Sequence, residues 1–454
     1  MVMTSFPPQM GVCLATDQRL ASSIISETCN KNTIATISSE QAEETIPKVL
    51  CIGNLRHVAP YFIQKELAVG KLGKGKTVGQ ALAIDNLARL KETSSIVKDT
   101  SFVNWWPKEL LAGRLTIANS QNQQCQTIVA TPDHLIIEGD VLKGRYHFHE
   151  QAILANPRPT IVHRDENYIV MNKPGGIDVL SNPDAHRVVN SLPGIAMEIL
   201  NAKNDPQSSI KTIIPAHRID NPVSGLVCCG TNNKNAKRLS RKIQSRDTVK
   251  TYLARVRVTS NGAMNLLNNL PFEIEVPLGF DTSIACAVVD LSAKGKASRT
   301  IILAVMVEGS LDDETCVIAV RPHTGRKHQL RKHLAHVGLP IANDTKYNTD
   351  GNNNGCSLSS EKISAFGLPN PPKQLVKLYE SHQVDHCDHC KYIRRLLQQT
   401  TKISASGTGP SVSQPIWLHS WRYKFPSLGL SFEATPPEWA QRKQWKNIAS
   451  EVLD

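Results

Sequence analysis

One stretch, HRIDNPVSGL at 217–226, constrains this chain more than any other. The apolar segment 213–216 precedes it and the apolar run 226–229 follows it, which predicts a loop between two buried extended segments. Its Asn221-Pro222 step is typical of a turn. A carboxylate on such a loop, here Asp220, is held by rigid backbone and faces a cleft, which is a favourable position for chemistry.

The charge of the chain favours a polyanionic partner. Its 454 residues include 52 Lys and Arg against 40 Asp and Glu, a formal net charge of +12. The excess is concentrated in two windows, 234–257 and 321–347, each with very few acids. A solvated helix face usually mixes both signs, so windows of a single sign indicate phosphate binding.

The cysteines and the apolar runs indicate the redox environment of the protein and whether it has a membrane segment. Eleven cysteines are scattered along the chain, and no secretory signal pattern is visible, which predicts reduced, intracellular thiols. No apolar run approaches the roughly 20 residues of a membrane span, so we expect no membrane segment.

The chain divides into three predicted parts. Residues 1–47 are rich in Ser, Thr, Glu and Gln and predict a disordered leader, 48–150 a small N-terminal domain, and 151–454 a catalytic domain with an insertion loop at 348–374. The leader holds more acidic residues than a mitochondrial transit peptide usually does. We therefore expect a cytoplasmic protein, with the mitochondrion as the alternative and the nucleus not excluded.

The segment Gly70–Thr77 matches the phosphate-loop pattern GxxxxGK[ST]. That pattern binds nucleotide only between a buried strand and a helix of a parallel sheet. The preceding segment, 61–69, is charged and indicates a helix or an edge strand instead. Two interpretations follow: a nucleotide site that uses Lys76, or a basic glycine-rich turn, and the sequence context favours the turn.

An amphipathic helix and a strand follow the opening stretch. Apolar residues at helical spacing predict a helix over 232–246 whose other face is cationic. Residues 250–258 then alternate with period two, and Tyr252 lies on the apolar face. Tyr252 is either a core tyrosine with a solvated hydroxyl or a ring on which a base can stack.

The segment 321–340 predicts a strand end followed by a basic helix. Thr324 is a candidate cap for a helix whose apolar stripe is Leu330, Leu334 and Val337. Arg331 lies beside this stripe, at the border between core and cleft. Arg331 is therefore either a surface arginine or the partner of a carboxylate such as Asp220.

The late motif HCDHC, at 386–390, places Cys387 and Cys390 in a CxxC spacing. Structural zinc needs about four ligands, usually with a second Cys or His pair at a suitable spacing. No such pair follows, so we expect reduced thiols. A metal site completed by His382, His386 or His389 is the alternative.

Four motifs, in this order, resemble those of the RluA family of pseudouridine synthases, and the resemblance covers about residues 157–450. They are IVMNKPGG at 169–176, HRIDNPVSGL at 217–226, KTY at 250–252 and TGRKHQLR at 324–331. RYHFHE at 145–150, PIAND at 340–344, the CxxC and WLH at 417–419 resemble the eukaryotic branch that modifies tRNA.

The resemblance implies an α+β fold, a pseudouridine synthase fold with a mixed, largely antiparallel central sheet and flanking helices. A small alpha-L-type RNA-binding domain would precede it. The implied reaction converts uridine to pseudouridine in RNA, and family position suggests the anticodon stem-loop of tRNA, at position 32. The resemblance further implies a monomer that needs no cofactor and no metal and whose partner is RNA.

The resemblance also implies roles for particular residues. Asp220 would be the catalytic carboxylate, Tyr252 would stack on the target base, and Arg331 would pair with Asp220 and keep it ionised. Arg218 would fill the gap left by the flipped nucleotide. The implied substrate-binding residues are Arg218, His217, Lys173, Lys250, Arg326 and His328. The alternative functions are a non-catalytic RNA-binding protein on a synthase scaffold and an NTPase that uses the 70–77 loop.

Overall fold

A computed structural model gives the fold of the chain. It describes residues 47–52, 54–69, 75–82, 105–119, 127–180, 188–202, 210–306, 315–348, 373–381, 384–385, 387, 390–391 and 415–441. The predicted leader, most of the 348–374 insertion and the first five residues of the 70–77 loop lie outside these ranges. So do His382, His386 and His389, the candidate ligands near the CxxC.

The chain forms two compact units. Unit 1 contains 1–156, 181–212 and 364–410, and unit 2 contains 157–180, 213–363 and 411–454. The start of unit 2 is close to the boundary predicted after residue 150. Two segments that we had assigned to the catalytic domain, 181–212 and 364–410, group instead with unit 1, because their contacts lie with residues far earlier in the chain.

The described strands of unit 1 form two antiparallel sheets, ordered β1-β2-β7 and β3-β6-β4-β5. Their bounds are β1 Val49–Ile52, β2 Leu55–Val58, β3 Tyr61–Ala68, β4 Thr116–Asn119, β5 Ile128–Val129, β6 Asp140–Phe148 and β7 Ile153–Leu154. The segment 61–69, predicted as helix or edge strand, is thus a strand at the edge of its sheet. The interpretation of unit 1 as an alpha-L domain stays a prediction.

The end of the phosphate-loop pattern is a turn bonded to the 132–136 segment. The amide of Ile136 donates to the Lys76 carbonyl, and the amide of Val78 donates to that of His134. The described strands around it pair antiparallel, which is not the parallel context that a phosphate loop requires. The backbone groups at this turn are already engaged, which favours the turn interpretation over the nucleotide site.

The described helices are distributed over both units. They are α1 Trp105–Leu111 and α2 Leu192–Ala202 in unit 1, α3 Asn233–Gln244, α4 Asn261–Asn268 and α5 Gln329–His336 in unit 2, and α6 Lys373–Glu380 in unit 1. Two short 3-10 turns, Pro426–Leu428 and Glu438–Ala440, belong to unit 2. Across the described segments, none of the helices has the length and apolarity to cross a membrane.

The acidic side chain of Glu150 fastens the 188–190 segment to the rest of unit 1. It accepts hydrogen bonds from the amides of Val188, Val189 and Asn190 at 3.0, 2.7 and 2.7 Å, and from the Tyr61 hydroxyl. Burial raises the pKa of this carboxyl, while the four donors oppose the rise. These bonds explain why a segment from the predicted catalytic domain groups with unit 1.

Unit 2 is built on one ten-stranded sheet. Its strands are β8 Thr160–Arg164, β9 Tyr168–Lys173, β10 Ile214–Pro215, β11 Ser224–Gly230, β12 Val249–Arg257, β13 Phe272–Glu275, β16 Arg299–Met306, β17 Thr315–Pro322, β18 Leu418–Phe425 and β19 Leu430–Glu433. A separate hairpin joins β14 Leu278–Asp281 to β15 Cys286–Val289. The main order is β13-β16-β17-β12-β18-β11-β9-β8, and every described pair is antiparallel except β11 with β18. The predicted mixed, largely antiparallel sheet of an α+β fold is therefore confirmed.

The sheet is covered on both faces. Leu239 of α3 is buried with Leu226, Tyr423 and Phe425 on one face, and Asn232 caps this helix through its side chain. Leu253 is buried with Trp421 and other apolar residues on the opposite face. The neighbours Tyr252 and Leu253 therefore point to opposite faces, as the period-two pattern predicts, but both are buried because β12 is a central strand.

The parallel contact of β11 with β18 requires Gly225. Its φ is +109°, and a β-carbon placed there would lie 2.2 Å from the Ser420 carbonyl oxygen. Only glycine permits both this conformation and this approach. Gly225 thus sets the spacing between the strand that follows the Asp220 loop and the strand that carries Tyr423.

The helix that carries Arg331 begins later than predicted. It starts at Gln329 and not at a Thr324 cap, because His328 adopts a left-handed conformation with φ +55°. The Gln329 side chain instead accepts from the Arg326 amide and from the Thr324 hydroxyl. Residues 324–328 consequently form a turn that can present side chains to the cleft.

Candidate active site

Unit 2 contains a cleft of about 490 Å³, which lies after the end of β10 and at the starts of β12 and α5. Asp220 and Tyr252 line it together with the turn that precedes α5. Eight of the nine predicted site residues are among its lining residues: His217, Arg218, Asp220, Lys250, Tyr252, Arg326, His328 and Arg331. The ninth, Lys173, does not line it.

Lys173 is fully buried, and its Nζ donates to the carbonyls of Pro174 and Asn221, both at 3.0 Å. The Gly176 amide donates to the same Asn221 carbonyl at 2.8 Å. Asn221 in turn donates through Nδ2 to Asp178 at 2.7 Å. The KPGG motif therefore holds the Asp220 loop in place, which differs from the substrate contact expected of Lys173.

The same contact explains one of the two glycines in this motif. A β-carbon on Gly175 would lie 2.6 Å from the Pro222 carbonyl oxygen. Glycine permits so close an approach because it has no β-carbon. Gly175 therefore lets one turn of the protein approach another.

Asp220 is partly exposed and surrounded by cations. Its Oδ2 lies 3.8 Å from Arg331 Nη1 and 3.8 Å from His328 Nε2, and 24% of its side chain is accessible. Burial raises the pKa of this carboxyl above its ordinary value, although Arg331, Arg218 and Lys327 oppose the rise. The predicted effect of Arg331 is therefore present, but desolvation outweighs it.

Arg331 makes its closest ion pair with Asp344. Its Nε and Nη2 donate to the two carboxylate oxygens at 2.6 and 2.7 Å, and both side chains are buried. Such a bidentate pair fixes the plane of the guanidinium and leaves Nη1 directed at Asp220. Asp344 belongs to the PIAND motif, but the sequence analysis did not predict this role for it. The signal that could have indicated it is an arginine at the border of the core, which needs an acidic partner.

His328 is held by Tyr347, another residue that sequence reasoning missed. The Tyr347 hydroxyl accepts from the Ala287 amide at 2.6 Å and lies 2.7 Å from His328 Nδ1. Burial and the nearby Arg331 lower the pKa of His328 to about 2, so the ring is neutral. If Tyr347 donates to Nδ1, the remaining ring proton is on Nε2, which faces Asp220. A left-handed non-glycine residue at a cleft is strained, and such strain is common at functional sites.

Three aromatic rings, those of His217, Tyr252 and Tyr423, form an aromatic wall of the cleft. The hydroxyls of Tyr252 and Tyr423 are 3.2 Å apart, and His217 stacks on Tyr423 with ring centroids 4.7 Å apart. His217 Nε2 accepts from the Cys228 amide at 3.0 Å, and burial lowers its pKa to about 3. His217 is therefore a neutral ring that supports Tyr423, while burial raises the pKa of Tyr252 and keeps its phenol protonated.

The rim of the cleft is basic. Arg218, Arg326 and Lys327 are exposed and line it, and Lys250 lines it closer to the aromatic wall. Burial lowers the pKa of Lys250, as desolvation does for any amine. Lys327, which sequence reasoning did not single out, lies 3.8 Å from the centre of the Phe280 ring. Such a rim can bind the phosphates of a polyanion while Asp220 lies inside.

Residues 167–336 match the model of a family described as RNA pseudouridylate synthase. Over this segment the chain is similar to that family of enzymes. All nine predicted site residues lie inside the matched segment, whereas Asp344, Tyr347 and Tyr423 lie beyond it. The match confirms the resemblance on which the predicted roles depend.

Several pseudouridine synthases are similar to this chain. It is 26% identical over 331 residues to the mitochondrial tRNA pseudouridine(32) synthase of Saccharomyces cerevisiae, across 68% of this chain and 64% of that protein. It is 27% identical over 353 residues to the tRNA pseudouridine(31) synthase of the same yeast, across 68% of this chain and 81% of that one. The solved structure of Human RNA Pseudouridylate Synthase Domain Containing 4 covers 62% of this chain and 89% of its own, with 20% identity and a TM-score of 0.38.

Proposed function

We propose that this pseudouridine synthase converts uridine to pseudouridine in RNA, with Asp220 as the carboxylate that acts on the sugar and base. One observation carries the proposal. Asp220 is the partly exposed carboxylate of the cleft, 3.8 Å from the guanidinium that Asp344 anchors. A carboxylate with solvent access and a fixed cation beside it is available to a substrate, whereas Asp344 is enclosed and already paired.

The reaction is an isomerisation that balances without a co-reactant. The C1′–N1 bond of uridine breaks, the uracil turns, and a C1′–C5 bond forms. The proton on C5 is lost and N1 gains one, so atoms and electrons are conserved. The Asp220 carboxylate either attacks C1′ and is released when the new bond forms, or removes a proton from the sugar and returns it after the new bond has formed. Both routes require the ionised form of Asp220.

Arg331 acts on Asp220 through its charge. Burial alone disfavours the carboxylate, and Arg331 is the largest opposing influence on the pKa of Asp220. Because Asp344 holds the guanidinium by two hydrogen bonds, the charge stays in place when the substrate enters. We therefore assign Arg331 the role of an electrostatic partner and Asp344 that of its positioning residue.

Tyr252 supplies an aromatic surface in the cleft. An aromatic ring can stack on a base whichever hydrogen-bonding edge the base presents. Its hydroxyl faces that of Tyr423 at 3.2 Å, and its raised pKa means that it acts as a neutral phenol. We propose that the ring positions the uracil and that the hydroxyl contributes less.

The basic rim binds the RNA backbone. The target nucleotide must leave its stack before C1′ can be reached, at a cost of about a few kcal/mol. Arg218 is exposed at the rim, directly before the Asp220 turn, so it is the residue placed to fill the gap in the RNA. Arg326, Lys327 and Lys250 are placed to bind phosphates, since each lines the cleft.

We propose tRNA as the substrate and position 32 of the anticodon stem-loop as the target. The support is that the two yeast relatives are named for tRNA positions 32 and 31. The compartment proposed is the cytoplasm, because acidic residues in 1–47 outnumber Arg19 and Lys31. Imaging of the full chain with a C-terminal tag decides between cytoplasm and mitochondrion.

The test is a pseudouridine map of unmodified tRNA transcripts after incubation with the purified full chain. A transcript with cytidine at position 32 and another with cytidine at position 31 separate the two candidate targets. We expect product in the wild-type transcript and its loss only when position 32 is changed. RNA binding without product in any transcript would favour a non-catalytic RNA-binding protein and contradict the proposal.

A further inference from the structure

Four side chains of unit 1 lie close together and have no part in the functions described above. His147 ends β6, His149 follows two residues later, and Cys387 and Cys390 form the CxxC. One donor atom from each, a ring nitrogen or a sulfur, lies within 4.8 Å of the others. The sequence alone did not connect them, because the two pairs are separated by more than 230 residues.

The spacing of these donors matches a tetrahedral metal site. His149 Nε2 lies 3.1 Å from His147 Nδ1 and 3.4 Å from each of the two sulfurs, and Cys390 Sγ lies 3.4 Å from His147 Nδ1. Zinc binds nitrogen at about 2.0–2.1 Å and sulfur at about 2.3 Å. Those bond lengths put tetrahedral donors about 3.3–3.8 Å apart, and because no two donors are more than 4.8 Å apart, shifts of about one ångström or less would complete the site.

The local structure explains why each pair presents both of its donors. His147 and His149 are two residues apart at the end of a strand, so their side chains share one face. Cys387 and Cys390 are three residues apart where a helical turn begins, which is the usual spacing of a zinc-binding cysteine pair. His147, His149 and Cys390 are buried and Cys387 is half-buried. The two thiols are not joined in a disulfide.

We propose that His147, His149, Cys387 and Cys390 bind a structural Zn²⁺ ion. Two thiolates and two imidazoles are a donor set that favours zinc, whereas carboxylate oxygens would favour magnesium or calcium. Four protein donors fill a tetrahedral coordination shell and leave no position for water or substrate, so the site is structural. This site replaces the predicted reduced thiols, and its histidines differ from those considered near the CxxC.

The ion would link the segment that follows α6 to the end of β6. Leu375, Leu378 and Tyr379 of α6 are buried with Ala59, which directly follows β2. The CxxC segment begins shortly after α6 ends. The ion and this apolar contact would therefore both hold α6 and the residues that follow it in place. A link between residues so distant in sequence stabilises the fold by restricting the unfolded chain.

The first test measures the metal content of the full-length chain, purified without chelators or a polyhistidine tag. Elemental analysis should find about one zinc per chain, as four donors of this type require. The double variant Cys387→Ser/Cys390→Ser should retain about none. Cys51→Ser is the matched control, because it removes a thiol of the same unit that lies outside the cluster, and it should retain the wild-type zinc content.

A second measurement keeps the proposal testable if the double variant does not fold. Wild-type protein in which Co²⁺ replaces the bound ion should show thiolate-to-metal charge-transfer and the intense visible bands of tetrahedral cobalt. His147→Gln should weaken or shift those bands. Wild-type protein that holds no zinc and takes up neither Zn²⁺ nor Co²⁺ would overturn the proposal. Iron in place of zinc would overturn the identity of the metal, and a native Cys387–Cys390 disulfide in the intact mass would overturn the site.

Discussion

The Asp220 cleft and the His147–Cys390 cluster both join residues that are distant in sequence, but they differ in how closely their polar atoms approach. Asp220 lies 3.8 Å from both Arg331 and His328 and keeps 24% of its side chain accessible. The donors of the cluster approach to 3.1–3.4 Å, and three of its four residues are buried. A site that admits a substrate leaves space around its reactive atom. A metal site instead places all of its donor atoms close enough to coordinate one ion.

The same contrast exists within the cleft itself. Arg331 faces two carboxylates, at 2.6 Å for Asp344 and at 3.8 Å for Asp220. The enclosed, bidentate pair anchors the guanidinium, and the longer, partly exposed contact is the one that we propose to be reactive. Distance and exposure therefore separate the two aspartates more clearly than residue type does.

The largest effect is expected from breaking the enclosed pair with Asp344→Asn. Removing one partner leaves the buried guanidinium uncompensated, which typically costs about 3–5 kcal/mol of unfolding free energy. Urea unfolding measures this loss. The control Glu433→Gln removes the partner of Arg422 in a half-exposed pair and should cost within about 1 kcal/mol. The zinc content should be unchanged in both variants. An Asp344→Asn protein as stable as the control would contradict the assignment of Asp344 as the anchor.

A smaller loss is expected when the spacing of β11 and β18 is changed by Gly225→Ala. The added methyl would overlap the Ser420 carbonyl, and overpacking of this kind costs about 1–3 kcal/mol. Gly429→Ala is the matched control, since Gly429 also has a positive φ but has open space around it. Thermal unfolding should show a larger drop for Gly225→Ala. Equal drops would mean that backbone conformation alone, and not the close approach, requires this glycine.

The aromatic wall is tested by comparing Tyr252→Phe with Tyr252→Leu. The first keeps the ring and removes the hydroxyl that faces Tyr423, and the second removes the stacking surface. We expect a loss in turnover of less than about tenfold for Phe and of at least about tenfold for Leu, since base–aromatic stacking contributes about 1–3 kcal/mol. Single-turnover rates measure both. Loss of all activity in Tyr252→Phe would instead assign the hydroxyl an essential proton transfer.

The smallest effect concerns pH. In the proposed mechanism the active form of Asp220 is the carboxylate. Because burial raises the pKa of this carboxyl, the rate should rise with pH through a value above the ordinary pKa of 3.8 and then level off. His328 and His217, with pKa values of about 2 and about 3, should add no inflection near 6.5. A carboxyl whose pKa is raised by folding contributes stability in full when the pH is below the pKa of the unfolded state. That contribution is lost as the pH rises through the pKa of the folded state. Asp220→Asn should therefore not be less stable than the wild type at neutral pH. A histidine inflection in the rate profile would contradict these neutral rings.

The sequence predicted the cleft better than the cluster, for a physical reason. Asp220, Tyr252 and Arg331 each lie in a contiguous motif whose local pattern indicates strand, loop or helix. The strand β12 and the helix α3 follow from periodicity in the same way. The partners that complete the sites are tertiary: Asp344 for Arg331, Asn221 for Lys173, and His147 with His149 for the CxxC. No local period connects such residues, so the sequence did not predict these pairs.

The structure differs from the sequence prediction at two further places, and at each the cause is a hydrogen-bonding side chain. Gln329 bonds the turn before α5, so that helix starts later than the Thr324 cap predicted. Glu150 binds three consecutive amides of 188–190, so that segment joins unit 1 although its sequence position indicated the catalytic domain. In both cases a single buried polar side chain decides the result, and its partners become visible only in the fold.

The most direct test of the central claim is the single-turnover rate of pseudouridine formation by Asp220→Asn protein. Asparagine keeps the shape of the side chain and removes the charge, so the RNA should still bind while the reaction stops. Glu166→Gln, which changes an exposed acid in the β8–β9 turn, is the control and should react at the wild-type rate. We predict no product from Asp220→Asn with RNA affinity close to that of the wild type. Product formed at the wild-type rate would contradict the assignment of Asp220 as the reactive carboxylate.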